Sequence, residues 1–150
     1  MNHRTARILG SILIALALVV ALGPLAAQQA RTYQVIVHPN NPVGALSSDQ
    51  ISRMLLKRVK TWESGVAVAP VDLVDSSSVR EAFSREVHGR SIASIKNYWQ
   101  RNIFSGRAVP PPEVPNEDQA IAFVRSNPGG IGYVSSGAST SGVKVITISE

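Results

Sequence analysis

The sequence predicts an α/β layer fold, and three observations carry that prediction. Short β-branched runs alternate with segments whose apolar residues recur at helical spacing. The helical segments open on Ser or Asn, residues that cap helix N-termini. After the last of them, Asn127-Pro128-Gly129-Gly130 breaks the helical pattern ahead of two closing apolar runs.

The first residues read as an address. Arg4 and Arg7 precede an apolar run from Ile8 to Leu22, and G-P-L-A-A-Q-Q-A follows, the order of a secretory signal peptide. The run is 15 residues, short of the roughly 20 that span a bilayer. Residues 1–27 are expected to be the signal, cleaved after Ala27, and residues 28–150 a single domain; an uncleaved anchor is the alternative. The chain has no cysteine, so an exported domain must rely on its core instead of disulfides. The expected location is the periplasm or the exterior, as a soluble protein.

Removing 27 of the 150 residues leaves 123, enough for one core and too few for two. All ten acidic residues and 13 of the 15 basic ones lie in that part, a formal charge of +3. That balance permits small anions or acidic surfaces as partners. It is weak evidence for nucleic acid, which calls for denser basic residues mixed with exposed aromatics, and no nucleic-acid partner is expected.

Tyr33 to Val37, Y-Q-V-I-V, is the first strand, closed by H-P-N-N-P, where Asn40 and Asn41 tolerate left-handed backbone. Ser47 and Gln50 form a capping box, and Ile51, Met54 and Leu55 give the first helix its apolar stripe. Arg53, Lys57, Arg58 and Lys60 cluster around its end, ahead of Trp62. A solvated face that complements the helix dipole and a binding patch both fit this cluster. Val66 to Val71 is expected to be a short strand that leads through Leu73 and Val74 into Asp75-Ser76-Ser77-Ser78. The second helix then buries Val79, Ala82, Phe83 and Val87 and stops at His88-Gly89, with Gly89 in the C-terminal position.

Ser91 opens a third helix with the stripe Ile92, Ile95, Trp99 and Ile103, its Lys96 and Arg101 facing water. Pro110-Pro111-Pro112 and Pro115 impose an extended surface connector. Asn116 and Gln119 cap a fourth helix that carries Ala120, Ile121, Phe123 and Val124 to the core. Ile131 to Val134 and Val143 to Ile148 are the closing strands.

The candidate site is the serine cluster. Ser76, Ser77 and Ser78 stand where a helix begins, and unpaired N–H groups with the dipole make such a start a place for an anion. Arg80, one turn in, is the charge partner. Plain capping fits as well, because Ser78 and Glu81 have the S-x-x-E spacing of a capping box. Enzymatic constellations are thin. His38 and His88 have no metal-ligand spacing, and Ser141-Gly-Val-Lys144 runs into a strand where S-x-x-K chemistry needs a buried helix. Gly129-Gly130-Ile131-Gly132 is no dinucleotide fingerprint, since Ser135 takes the third glycine position and a strand follows.

Several motifs occur here in a familiar order: the basic turn ending in Trp62, V-A-V-A-P-V, the serines before R-E-A-F, Y-W at 98–99, I-F-S-G at 103–106 and N-P-G-G-I-G-Y-V at 127–134. In that order the chain resembles the phosphate-type periplasmic substrate-binding proteins over nearly all of its mature length. The resemblance implies an exported, non-catalytic solute-binding lobe, a mixed sheet flanked by helices, with Ser76, Ser77, Ser78 and Arg80 holding phosphate or a similar oxyanion and no cofactor. It implies a membrane transporter as partner; the alternative is an accessory module that kept the fold, lost the ligand and acts on a transporter or envelope protein. The length fits one lobe where the family has two, so pairing of two copies to rebuild a cleft stays open. The family's anion-binding turn reads R-x-x-G-S-G-T; here Leu73 takes the arginine position, Ser76 and Ser78 the glycines, and Val79 the threonine, while Ser77 matches. Lys57 likewise replaces a glycine common in the basic turn.

Overall fold

The computed structural model describes residues 30–149, so the expected signal segment lies outside the described residues. From Arg31 on, the chain forms one compact unit. Its elements are β1 (Tyr33–Val37), β2 (Ala45–Ser47), α1 (Ser48–Leu55), β3 (Ala69–Pro70), β4 (Asp72–Leu73), α2 (Ser78–Val87), α3 (Ile92–Phe104), β5 (Glu113–Val114), α4 (Glu117–Ser126), β6 (Gly130–Ser135) and β7 (Lys144–Ser149).

The main sheet has the order β2-β7-β1-β6-β3. β1 runs antiparallel to both of its neighbours, with Val35 opposite Tyr133 and Ile146, while β2 and β3 pair in parallel with β7 and β6. The sheet is therefore mixed, and four helices flank it, as the expected single lobe requires. Its central strand is β1, whose Val35, Ile36 and Val37 are completely buried. Against it pack Ile51, Met54 and Leu55 of α1, Phe83 and Val87 of α2, and Ala120, Ile121 and Val124 of α4.

Local chemistry sets most boundaries. Ser47 and Gln50 bond each other's backbone reciprocally, and Ser91 and Asn116 accept from the N–H groups of Ser94 and Gln119. Gly89 closes α2 at φ 62°, in the left-handed region that glycine enters without strain. Lys57 sits at φ 54°, the one non-glycine residue with positive φ among those described. This is the basic-turn position where the resembling family carries glycine, and the backbone there explains why. The strain is tolerated because the flanking N–H groups are satisfied, Lys57 N–H by Met54 O and Arg58 N–H by Arg53 O.

Four expectations need correction. The strand over Val66 to Val71 contracts to β3 and is followed at once by β4 in a separate two-stranded sheet with β5. The cause is a change of partner: Val71 N–H bonds Ile131 O, whereas Asp72 N–H turns to Pro112 O and Val74 N–H to Val114 O. The proline connector is accordingly a strand as well as a spacer. The second cap lies at Ser77, one residue before the S-x-x-E pair, because Ser77 N–H closes a turn onto Val74 O and its hydroxyl then accepts from Arg80 N–H. Ile103 is half exposed, since α3 runs on past the small cluster of Leu56, Ile95 and Trp99 that it covers.

The glycines before β6 permit close approach. A Cβ on Gly129 would stand 1.7 Å from the Ala67 carbonyl oxygen, and the Gly129 carbonyl accepts from both Ala69 N–H and the Trp62 indole. Gly129→Ala must force these segments apart, and overpacking of that kind costs about 1–3 kcal/mol or more. Urea unfolding of Gly129→Ala is expected to show a loss of about 3 kcal/mol or a failure to fold. A variant of unchanged midpoint would show that the Ala67–Gly129 contact does not hold in solution.

Candidate functional site

The candidate site is the junction of β4, the 74–77 turn and the start of α2. β4 ends at Leu73, buried like Asp72 before it. The turn then rises to the surface, where Asp75, Ser76 and Ser78 are exposed and Ser77 is half buried. Ser77 Oγ is occupied by its own cap, at 3.2 Å from Arg80 N. The hydroxyls of Ser76 and Ser78 are thus the ones offered outward at this helix start.

Arg80 points the other way. It is only 3% exposed, and its guanidinium sits among three carboxylates: Asp72 at 3.3 Å, Asp75 at 2.9 Å and Glu113 at 2.7 Å. It also donates to the Leu73 carbonyl. Asp75 is shared with Lys96 of α3, whose hydrogen bond holds its carboxyl below the ordinary range. Of the four residues expected to act together, Ser76 and Ser78 face solvent, Ser77 caps, and Arg80 serves as an internal tie. Sequence spacing alone did not reveal that tie; Asp72, Asp75 and Glu113 were the acidic residues that signalled it.

The network reaches into the core. Tyr133 donates its hydroxyl to Asp72 Oδ1, which also accepts from Leu73 N–H at 2.9 Å. Burial pushes the Asp72 carboxyl up, against the pull of Arg80, Tyr133 and the Leu73 amide. Burial and the Asp72 charge push the Tyr133 phenol far above its ordinary value, so it remains a donor. Its ring stacks on Phe83 at 3.8 Å between centroids and 4° between planes. Tyr133 and Asn127 are structural: Tyr133 is 1% exposed, and the Asn127 amide donates to Phe123 O.

A serine–histidine pair does exist, which the sequence gave no reason to choose. Ser52 Oγ lies 2.8 Å from His88 Nδ1 and joins α1 to α2. Among the described residues no carboxylate orients the other ring nitrogen, the support a nucleophilic dyad needs. Burial, Arg80 and Arg90 lower the His88 pKa from 6.5 to about 4. Among the described residues no cluster of His, Asp and Glu is arranged to hold a metal.

Two outcomes follow. Arg80→Met leaves Asp72 buried without its cation and is expected to cost about 3–5 kcal/mol in chemical denaturation; adding Asp72→Asn should restore part of that loss. An Arg80→Met protein of near wild-type stability would show that the network contributes nothing. His88 takes up its proton only on unfolding, because its folded pKa of about 4 lies below the ordinary 6.5. Its contribution is complete above pH 6.5 and is lost as pH falls toward 4, so stability should drop by about 2 kcal/mol between pH 7 and pH 5. The drop should shrink in His88→Gln; an equal drop in both proteins would assign it to other groups.

No known family pattern matches the sequence, and no curated protein matches it significantly. Solved structures do. A phosphate ABC transporter substrate-binding protein with bound phosphate from Clostridium perfringens superposes with a TM-score of 0.63 at 21% identity, over 78% of this chain and 44% of that one. An ABC-type phosphate transport receptor from Vibrio cholerae gives 0.62 at 19%, over 78% and 46%, and PstS from Borrelia burgdorferi 0.56 at 15%, over 79% and 47%. The chain thus spans less than half the length of each. At these identities the likeness establishes the fold: the described residues form an α/β lobe of the kind found in phosphate-type periplasmic binding proteins.

Proposed function

We propose that this protein is an exported, non-catalytic binding module, periplasmic in location, that takes a small oxyanion at the Ser76–Ser78 turn, with phosphate the first candidate. The observation that carries the reading is the outward pair of serine hydroxyls at the start of α2, in a lobe whose solved relatives include one with phosphate bound. Ser76, Ser78 and the first N–H groups of α2 would hold the oxyanion by hydrogen bonds. Ser77 shapes the turn, and Arg80 supports it from behind.

A specific observation favours a second reading, an accessory module that recognises a transporter or envelope protein and holds no ligand. The Arg80 charge is already matched by Asp72, Asp75 and Glu113, and the last two are partly exposed beside the proposed site. Each such carboxylate opposes an anion by an amount comparable to a surface pair, about 0.2–1 kcal/mol.

Thermal unfolding with millimolar phosphate and sulfate separates the two readings. At a hundredfold excess over Kd a site adds about 2.7 kcal/mol, several degrees in a domain of this size. Ser78→Asp is the discriminating variant. Its carboxylate suits a helix start, so basal stability should hold or rise, but it would repel the ligand and cancel the shift. A shift that survives Ser78→Asp would move the site elsewhere. No shift with either anion would leave the accessory reading, to be pursued by capturing the protein partner.

A further inference from the structure

Phe104 is 90% exposed at the end of α3, beside Ile103 at 50% and ahead of Val109 at 63%. Ile103 and Phe104 are neighbours on the last turn of α3 and Val109 follows within seven residues, a local concentration of exposed apolar side chains of the kind that marks interaction surfaces. The cations around it are unusual too. From Val87 to Pro112 the sequence carries Arg90, Lys96, Arg101 and Arg107 and no Asp or Glu. Arg101 lies three residues before Phe104, on the same helix face. Arg107 follows in a turn that folds back on the helix, its N–H bonding Asn102 O. The basic turn of α1 adjoins this segment, with Lys57 Nζ donating to Pro110 O and Arg58 resting 5.3 Å over the Tyr98 ring.

Several cations of the lobe are matched: Arg53 by Asp49, Arg85 by Glu81, and Arg80 and Lys96 by the carboxylates around the α2 start. Among the described residues Arg58, Lys60, Arg90, Arg101 and Arg107 form no ion pair. Arg90 and Arg101, with Ser94 and Asn97, line an open groove of about 280 Å³ along α3. It offers hydrogen-bond donors and no carboxylate.

We propose that this face docks on an anionic phospholipid surface, Phe104, Ile103 and Val109 entering the acyl boundary while the arginines and the α3 groove meet headgroup phosphates. Apolar side chains at the tip with cations beside them match the layering of a bilayer interface. A second copy of this chain is disfavoured as occupant, because two such faces would oppose like charges. The described residues contain no helix long and apolar enough to cross a membrane, and the contact proposed for this face is a peripheral one. This inference is independent of the oxyanion reading and uses different residues.

The test uses residues 28–150, which contain the whole compact unit and a core that runs from Tyr33 to Ile148. Cooperative thermal unfolding confirms that each sample is folded. Co-sedimentation with vesicles of mixed phosphatidylglycerol and phosphatidylcholine should capture the protein, and vesicles of phosphatidylcholine alone should not. Phe104→Ser should weaken capture about tenfold, and Arg101→Gln with Arg107→Gln about fivefold for each charge, with a shallower salt dependence. Phe104 is on the surface, so its substitution should leave the unfolding midpoint in place. Three outcomes would overturn the proposal. One is absence of capture by the anionic vesicles. Another is capture indifferent to Phe104, or abolished by free phosphate, which would leave a simple anion groove. The third is a photo-crosslinker at position 104 that labels a protein in cells where lipid is expected.

Discussion

A single buried guanidinium decides the arrangement of the candidate site. β4 and β5 are two residues each, too short to persist as an isolated sheet. They are held because Arg80 reaches from α2 to the Leu73 carbonyl on one strand and to Glu113 on the other, while Asp72 and Asp75 close the ring. Taking these charges out of water is costly, and the attraction offsets that cost only when every partner is present. Tyr133 joins the ring to the main sheet through Asp72, and Phe83, three residues beyond Arg80, stacks on the Tyr133 ring. Polar and apolar contacts thereby fix the same helix from two directions.

Much of the fold was legible in the sequence because its signals are local. The caps at Ser47, Ser91 and Asn116 need only residues three positions apart, and β1, β6 and β7 announce themselves by β-branched composition. What was not legible depends on partners distant in sequence. β5 exists only because Pro112 O and Val114 O meet the amides of Asp72 and Val74. β2 exists because β7 offers an open edge for a parallel pair. Arg80 reads in sequence as the charge partner of an anion at the helix start, and two of the carboxylates that draw it inward come eight residues earlier and 33 later.

The same distant contacts limit the candidate site. A helix start contributes about 0.3–1 kcal/mol toward an anion, the same order as the opposition of one exposed carboxylate. With Asp75 and Glu113 both partly exposed near the start of α2, the dipole and the side chains nearly cancel. Affinity would then rest on hydrogen bonds from Ser76, Ser78 and free N–H groups, the terms most dependent on geometry. A second lobe, or anything that excluded water from the turn, would strengthen them, since hydrogen bonds gain as the local dielectric falls.

Ile103 carries a more general point about reading helices. Its spacing from Ile92, Ile95 and Trp99 has the period of a core stripe, yet only Ile95 and Trp99 are buried and Ile103 is half exposed. Periodicity records which face of a helix is apolar; how far the protein's own core extends beneath that face is a separate matter. α3 outruns its core by about one turn, and there the apolar face continues into Phe104 among unmatched arginines. An overhang of this kind retains a large unfavourable exposure that a shorter helix or a polar substitution would remove without disturbing the fold. We therefore infer that its physical rationale lies in contact with something beyond the described residues, and the surrounding positive charge favours a surface that is negative and apolar together.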